Sequence, residues 1–335
     1  MSPSSLSLGR RLLWVVILGA LLLALSMVLG MSLGSSQGGW RRNLAALFGW
    51  SGPEDILTTI IWRLRLPRVL LAGLVGATLS LGGLVFQALL RNPLADPYIL
   101  GVSGGSAVGA ILGLLAGLAP FPGVALLAFC GSMSTLLLVL VITARRSGDR
   151  KGSLLLAGVM VNAFCSAVIM FLLSITQDAR LHNMLFWLMG DLSMSTPGQT
   201  TLLTYVLLPC FLAVLFLARP LNLLLLGEET AMYLGLNVAA VSRVLLVVTS
   251  LMVSFVVCQS GLVGFVGLVV PHLFRLLLGP DHRVLIPACL LGGGSFLVLC
   301  DLFSRVLPAQ GEMPVGVVTA LVGAPLFIFL LMRTK

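Results

Sequence analysis

The chain is built from long apolar runs that no charged residue interrupts, such as 12–33 and 153–175. A helix needs about 20 residues to cross the hydrocarbon core of a bilayer. A β-barrel would instead show short segments of alternating polarity. These runs therefore predict transmembrane helices.

Charged residues are too scarce to cover a water-soluble surface. They make up 9% of the 335 residues, whereas a soluble domain carries about 25%. The same composition excludes disordered, collagen-like and small disulfide-linked proteins. We predict an all-α polytopic membrane protein, a single transmembrane domain over 1–335. Its ten spans are expected near 12–33, 67–89, 98–116, 124–143, 153–175, 198–217, 241–259, 262–278, 285–305 and 314–332.

The basic residues are distributed unevenly between the two sides of this predicted bundle. With the N-terminus inside, most of the 20 Lys and Arg fall in inner segments. This positive-inside bias predicts that both termini are cytoplasmic. The net charge of +9 is then an orientation signal, so no nucleic-acid partner is expected. The basic residues left outside are Arg41, Arg42, Arg63, Arg65, Arg68, Arg180 and Arg305.

Two of these outer arginines belong to the segment RLRLPR, 63–68. Arg65 and Arg68 could be snorkelling side chains that bind lipid phosphate, or a cluster that faces an acidic partner. Farther along the chain, Asp301 and Arg305 have the i, i+4 spacing that favours an ion pair on a helix. We expect that pair to lie at the rim of the bundle and to contribute little.

An inner turn is predicted in the segment QALLRNPLADPYILG, 87–101. Its two Asx-Pro pairs, Asn92-Pro93 and Asp96-Pro97, are expected to end one helix and to start the next. A tight hairpin explains both pairs. It does not explain Gln87, which is a polar residue inside a predicted span.

The connection at about 218–240 contains the segment LGEETAMYLGLN, 226–237. Acidic residues favour the first turn of a helix, and glycine favours its C-terminal end. We therefore expect a short helix outside the membrane, and its apolar residues favour contact with a cytoplasmic partner over a solvated linker. The residues assigned to this contact are Gly227, Glu228, Glu229, Met232 and Gly235.

The cysteines and histidines indicate no catalytic or metal site. All six cysteines lie in apolar runs without a CxxC pair, so they are expected to be structural thiols. His272 and His282 are expected in an inner loop, with no acidic residue inside the membrane near them. We expect both to make structural hydrogen bonds.

Several motifs of the chain together indicate a known family. They are RLPR, LVGATLSLGGLVFQALLRNPLADPYILGVSGG, LGEETAMYLGLN, GLVGFVGLVVPHLFRLLLGPDHR and EMPVGVVTALVGAPLFIFLL. In this order they resemble the FecCD family, and the resemblance runs from about residue 55 to 332. This family consists of the membrane permeases of type II ABC importers for iron–siderophores, haem and vitamin B12. The resemblance implies the ten-helix permease fold.

The resemblance also implies partners and a location. It implies cytoplasmic ABC ATPase subunits, an extracytoplasmic substrate-binding protein and a second permease copy, as a homodimer or a paired permease. It places them at the lipid bilayer of the bacterial inner (plasma) membrane. The sequence contains no GxxxxGK[ST] motif, so ATP and Mg²⁺ are expected on the partner ATPase. No cofactor, metal or catalytic residue is expected in this chain, which is predicted to be a transport permease and not an enzyme.

Residue roles follow from the same resemblance. The segment GEETAMYLG matches the coupling helix, through which ATPase closure is transmitted. Asp191 departs from the family, because many siderophore permeases carry a small or hydroxyl residue there. The outer arginines that receive acids of the binding protein match Arg65, Arg68 and Arg305. The translocation path and its inner gate match Gln87, Asn92, Pro93, Leu94 and the loop near 144–152.

The substrate expected first is a ferric siderophore, with vitamin B12 or haem as alternatives, carried by alternating access. Two other classes stay open. A secondary transporter would need no ATPase, but the chain carries no paired buried carboxylates for proton coupling. An intramembrane serine protease could use Ser103 of a GVSG motif with His272 as its base.

Overall fold

The computed structural model describes residues 7–33, 43, 47, 56–144, 150–176, 178–308 and 311–333. Within these ranges the chain is helical and contains no strand. A single α-helical turn at Ile56–Thr59 continues into a π-helical segment, Ile60–Arg65, and a second π-helical segment lies at Pro120–Val124. These segments lead into two of the longer helices. The helices are α1 (Leu8–Ser32), α2 (Leu66–Leu90), α3 (Val102–Leu115), α4 (Ala125–Ala144), α5 (Arg150–Ser174), α6 (Asp178–Leu188), α7 (Pro197–Phe216), α8 (Ala218–Leu225), α9 (Glu228–Tyr233), α10 (Val238–Ser260), α11 (Val266–Leu278), α12 (His282–Val306) and α13 (Val315–Arg333).

Each of the ten predicted spans coincides with a helix, so the predicted fold class is confirmed. In the described part of the chain, eight helices are long and apolar enough to cross a membrane. The spans predicted at 98–116 and 262–278 are shorter, with 14 residues in α3 and 13 in α11. The helix α3 begins late because Gly101, at φ +77°, ends a series of turns just before it.

The helices α2 and α12 pack against each other at the centre of the bundle. Small residues allow this close approach. A Cβ atom on Gly76 of α2 would overlap the carbonyl oxygen of Gly293 in α12. A Cβ atom on Gly83 would overlap the carbonyl of Gly267 in α11. Glycine thus allows these helices to pack closely at the core.

The peripheral helices expose apolar faces. Among the 18 consecutive residues that form the most apolar stretch of each helix, 6% are buried in α1 and 28% in α13. The corresponding share in α12 is 72%. Such faces need lipid or another protein chain to cover them. The helix α6, with 11 residues, was not expected as a separate element and is too short to span a bilayer.

The bundle has two ends that matter for function. We call the end that carries Asn92, α8 and α9 the coupling end. We call the end that carries Arg65, Arg68 and Arg305 the arginine end. Both α2 and α12 contain 25 residues, and each connects the two ends over about 37 Å at 1.5 Å per residue.

Candidate functional site

The predicted short helix in 226–237 is present as α9. Glycines bound it on both sides, with Gly227 at φ +117° and Gly235 at φ +84°. Positive φ is strained for other residues, and glycine allows both sharp turns. Met232 is 55% exposed and Tyr233 91% exposed, while Ala231 is buried. The helix therefore presents an apolar outer face beside the two glutamates of its first turn.

The helix α8 connects α9 to the bundle. It packs on α2 and α12, with Leu221 and Leu224 buried. Arg91, which follows α2, donates from Nη2 to the carbonyl oxygen of Leu224 over 3.1 Å. The sequence did not predict a separate helix at Ala218–Leu225. The spacing of Leu221 and Leu224, three residues apart, is the sequence pattern that could have predicted this helix.

A polar cluster joins α8 to the start of α12. Asn222 donates to Asp281 over 2.7 Å, and its Oδ1 accepts from the backbone N–H of His282 over 2.8 Å. The hydrogen bonds from Arg283 to Asp281, the shortest of them 2.7 Å, lower the pKa of this carboxyl to about 2. The predicted hydrogen bonding of His282 is confirmed, since its Nδ1 lies 2.8 Å from Asn222 Oδ1.

The predicted turn between α2 and α3 is present. Asn92 Oδ1 accepts from the backbone N–H of Leu94 over 2.9 Å, and Asp96 Oδ1 accepts from that of Tyr98 over 2.8 Å. Pro93 and Leu94 are exposed at the coupling end. Their role in the exit path stays a prediction. The central residues of the second predicted exit loop, 145–149, lie outside the described residues.

Gln87 lies inside the bundle and not on an open path. It is 3% exposed, donates to the carbonyl of Gly267 over 3.2 Å and accepts from Arg275 over 3.1 Å. These bonds use both ends of its amide. The side chain therefore joins α2 to α11, and its role in the translocation path stays a prediction.

A buried ion-pair network occupies the arginine end. Arg68 Nε lies 2.8 Å from Asp301 Oδ1, and Arg68 Nη1 lies 2.5 Å from Glu312. Arg305 Nε lies 3.1 Å from the other oxygen of Asp301. The side chain of Asp301 has no exposed surface, whereas that of Glu312 is 41% exposed. The expectation of a rim ion pair between Asp301 and Arg305 is therefore wrong, because the pair is buried.

Two arginines at this end, Arg65 and Arg305, bind the end of α1. Arg65 donates to the carbonyl of Met31, and Arg305 donates to that of Gly30, both over 2.9 Å. Arg65, Arg68 and Arg305 are each buried within the chain. The expected exposed basic patch is thus absent at these three side chains, since the chain supplies their acceptors. Their docking to a binding protein stays a prediction.

Asp191 lies beside a cavity of about 330 Å³ toward the arginine end of the bundle. Its carboxylate accepts from the backbone N–H of Ser193 over 2.8 Å and from the Ser193 hydroxyl over 2.9 Å. Trp187 and Gln259 also line the cavity. The acid therefore orders a local turn, and its bonds within that turn give no signal for a particular substrate.

The serine protease alternative is not supported by the geometry. Within the described part of the chain, neither ring nitrogen of His272 has a hydrogen-bond partner. A nucleophile needs a base within hydrogen-bonding reach. Ser103 and His272 thus form no dyad, and the expectation of a hydrogen-bonded His272 is also wrong. Its ring contacts Phe327 edge-on, with centroids 5.8 Å apart.

Comparison with known proteins decides the family. The profile of the FecCD transport family matches residues 21–333, nearly the whole chain. The chain belongs to the FecCD transport family. It is 40% identical over 291 residues to the vitamin B12 import system permease protein BtuC of Salmonella arizonae, covering 85% of this chain and 88% of that protein. BtuC of Salmonella typhimurium matches to the same extent.

Solved structures agree with this family. A metal-chelate type ABC transporter in an inward-facing conformation superposes with a TM-score of 0.85 at 32% identity, covering 95% of this chain and 98% of that one. PsaBC from Streptococcus pneumoniae, at 16% identity and a TM-score of 0.57, shares the fold. The FecCD protein described here is therefore a multi-pass ABC importer permease and not an enzyme. ATP hydrolysis belongs to a partner ATPase.

Proposed function

We propose that this chain is the permease subunit of an importer that carries cobalamin across the bacterial inner membrane. The observation that carries the proposal is the 40% identity to vitamin B12 permeases over 85% of the chain. The relatives favour cobalamin over the ferric siderophore expected from the sequence. Both are large metal chelates, so the superposed metal-chelate transporter supports the shared class.

In this proposal the coupling end is cytoplasmic and α9 contacts the ATPase. The excess of basic residues in the inner segments supports the orientation. The exposed Met232 and Tyr233 beside Glu228 and Glu229 support the contact. ATP and Mg²⁺ bind to the partner, and closure of the ATPase moves α9. The permease then alternates between outward-facing and inward-facing states.

The binding protein docks at the arginine end in this proposal. Arg68 already binds Asp301 and Glu312. An acidic side chain of the partner could reach Arg68 only by replacing the exposed Glu312, because Asp301 is fully buried. The role of Arg65 and Arg305 would then be to hold α1 and α12 beneath the docked protein.

A second copy of the chain completes the proposed path. The helices α5 and α13 are 33% and 28% buried in their most apolar windows, so each leaves a broad apolar face uncovered. A homodimer would cover part of these faces and leave the remainder to lipid. This arrangement would place the substrate path between the two copies.

Uptake by whole cells tests the proposed substrate. A strain without its own chelate permeases would express this chain with its cognate ATPase and binding protein. We expect uptake of ⁵⁷Co-cobalamin and none of a ⁵⁵Fe-siderophore. Uptake of the siderophore alone would overturn the substrate. Uptake that persists without the ATPase would overturn the importer class and favour a secondary transporter.

A further inference from the structure

Asn222 is the polar residue by which α8 holds the start of α12. Its Nδ2 donates to Asp281 over 2.7 Å, and its Oδ1 accepts from the His282 backbone N–H over 2.8 Å. The first backbone N–H groups of a helix lack partners within the helix. Asn222 therefore satisfies one of these groups on α12, where His282 is 1% exposed.

A second bond fixes the other end of α8. Arg91 extends from the end of α2 and donates to the carbonyl oxygen of Leu224 over 3.1 Å. The side chains of Leu221 and Leu224 are buried beneath α8. The helix is thus attached to α12 at Asn222 and to α2 at Leu224, directly before the Gly227 turn that leads into α9.

The two helices that α8 holds are the ones that reach the arginine end. At that end Asp301 of α12 binds Arg68 of α2 over 2.8 Å. Both helices are continuous and packed along their length, and such helices move as rigid elements. A displacement of α8 at the coupling end is therefore delivered to a pair of helices that are also joined at the far end.

We propose that Asn222 is a positioning residue that transmits movement of α9 to α12 and so links the ATPase contact to the arginine end. The inference rests on the proposed importer function. Its three hydrogen bonds join α8 to Asp281 and His282, a few residues before α9 begins. Loss of Asn222 would remove this polar link and leave the apolar packing of α8 to hold α12, so less of the movement of α9 would reach α12.

The start of α12 does not depend on Asn222 for its formation. Asp281 accepts from the backbone N–H of Arg283 over 3.0 Å and caps the helix by itself. Asn222→Ala should therefore leave α12 folded and remove its link to α8. A matched control lies on the other side of α9. Asn237 Oδ1 accepts from the backbone N–H of Ala240 over 3.0 Å, so Asn237→Ala removes a similar bond without touching α12.

The test measures chelate imported per ATP hydrolysed in proteoliposomes that contain the permease, its ATPase and its binding protein. We expect this ratio to fall about tenfold in Asn222→Ala and to stay within about twofold in Asn237→Ala. An unchanged ratio in Asn222→Ala, or equal losses in both alanine variants, would overturn the proposal.

A second readout does not require a known substrate. Hydrogen exchange of segment 311–314, which follows α12 and contains Glu312, is compared with and without ATP and vanadate on the assembled complex. We expect a nucleotide-dependent change in the wild type and in Asn237→Ala, and none in Asn222→Ala. The same change in all three would refute the link. If the wild type imports no chelate, the proposed function fails while this comparison still decides the role of Asn222. If Asn222→Ala does not assemble with the ATPase and the binding protein, Asn222→Asp replaces it in both measurements.

Discussion

The carboxylate of Asp301 lies 2.8 Å from Nε of Arg68 and has no exposed surface. The pair joins α12 to α2 near the end where both helices would reach the membrane surface. Arg305 binds the second oxygen of the same acid at 3.1 Å and also binds the end of α1. Three helices therefore meet at one buried carboxylate, which fixes the arginine end of the bundle.

Removal of this acid is expected to destabilise the protein strongly. Asp301→Asn leaves two arginines without their buried counter-charge, and breaking a buried pair costs about 3–5 kcal/mol. Thermal unfolding in detergent measures the loss. Glu312→Gln is the matched control, because its partially exposed pair with Arg68 should contribute about 1 kcal/mol or less. Equal losses in the two variants would contradict the buried network.

Charge reversal separates a structural role of the arginines from a docking role. Arg68→Glu places an acid beside Asp301, so we expect it to lower the unfolding temperature as well as binding-protein affinity. Arg63→Glu changes an exposed residue at the same end and should leave the unfolding temperature unchanged. A stable Arg68→Glu protein that loses only its affinity for the binding protein would show that docking is the main role of Arg68.

Substitutions on α9 are expected to affect coupling and not folding. Replacing Glu228, Glu229 and Met232 together by Ala changes the exposed face of a short helix, so the unfolding temperature should change little. Affinity for the ATPase should fall about tenfold or more, since exposed apolar and charged anchors dominate such contacts. Leu321→Ala, a change on the exposed face of α13, is the control. Unchanged import by the α9 variant would exclude the contact.

Close packing at Gly83 gives a steric prediction. Gly83→Ala would place a Cβ atom against the carbonyl of Gly267, so helices α2 and α11 must separate. Overpacking of this kind costs about 1–3 kcal/mol. Gly198→Ala meets no atom within 4 Å and should have little effect. Similar unfolding temperatures for both variants would show that the helices are not in contact at Gly83.

The turn between α2 and α3 should make stability depend on pH. Burial raises the pKa of Asp96 from its ordinary 3.8 to about 6. The folded protein therefore holds this proton more tightly than the unfolded chain. The contribution of Asp96 to stability is largest below about pH 4 and is lost as the pH rises through about 6. Asp96→Asn should remove this component of the pH dependence of the unfolding temperature. If the unfolding temperature of Asp96→Asn depends on pH as that of the wild type does, the pH dependence comes from another group.

The sequence was most informative where a pattern had a single physical explanation. Uninterrupted apolar runs located all ten spans, and the glycines at 227 and 235 located α9 because few other residues adopt those turns. The arginines at 65, 68 and 305 could be placed at one end of the bundle. Their burial could not be predicted, because it depends on Asp301 and Glu312, which are more than 200 residues away from Arg68 in the chain.

The same limit applies to Gln87 and Asn222. A polar residue in an apolar span indicates a function or an interhelical bond, and Gln87 proved to make interhelical bonds with Gly267 and Arg275. Asn222 gave no local signal at all. Its importance arises from the approach of α8 to Asp281, which is 59 residues away. Local periodicity contains no information on such pairings.

ATP-driven uptake of labelled cobalamin into proteoliposomes tests the central claim most directly. The vesicles would contain this chain with its ATPase, ATP inside and the binding protein outside. We predict accumulation of cobalamin that requires both ATP hydrolysis and the binding protein, and that is lost when Glu228, Glu229 and Met232 are replaced. Accumulation that is equal with a non-hydrolysable ATP analogue, or uptake of a ferric siderophore in place of cobalamin, would contradict the account.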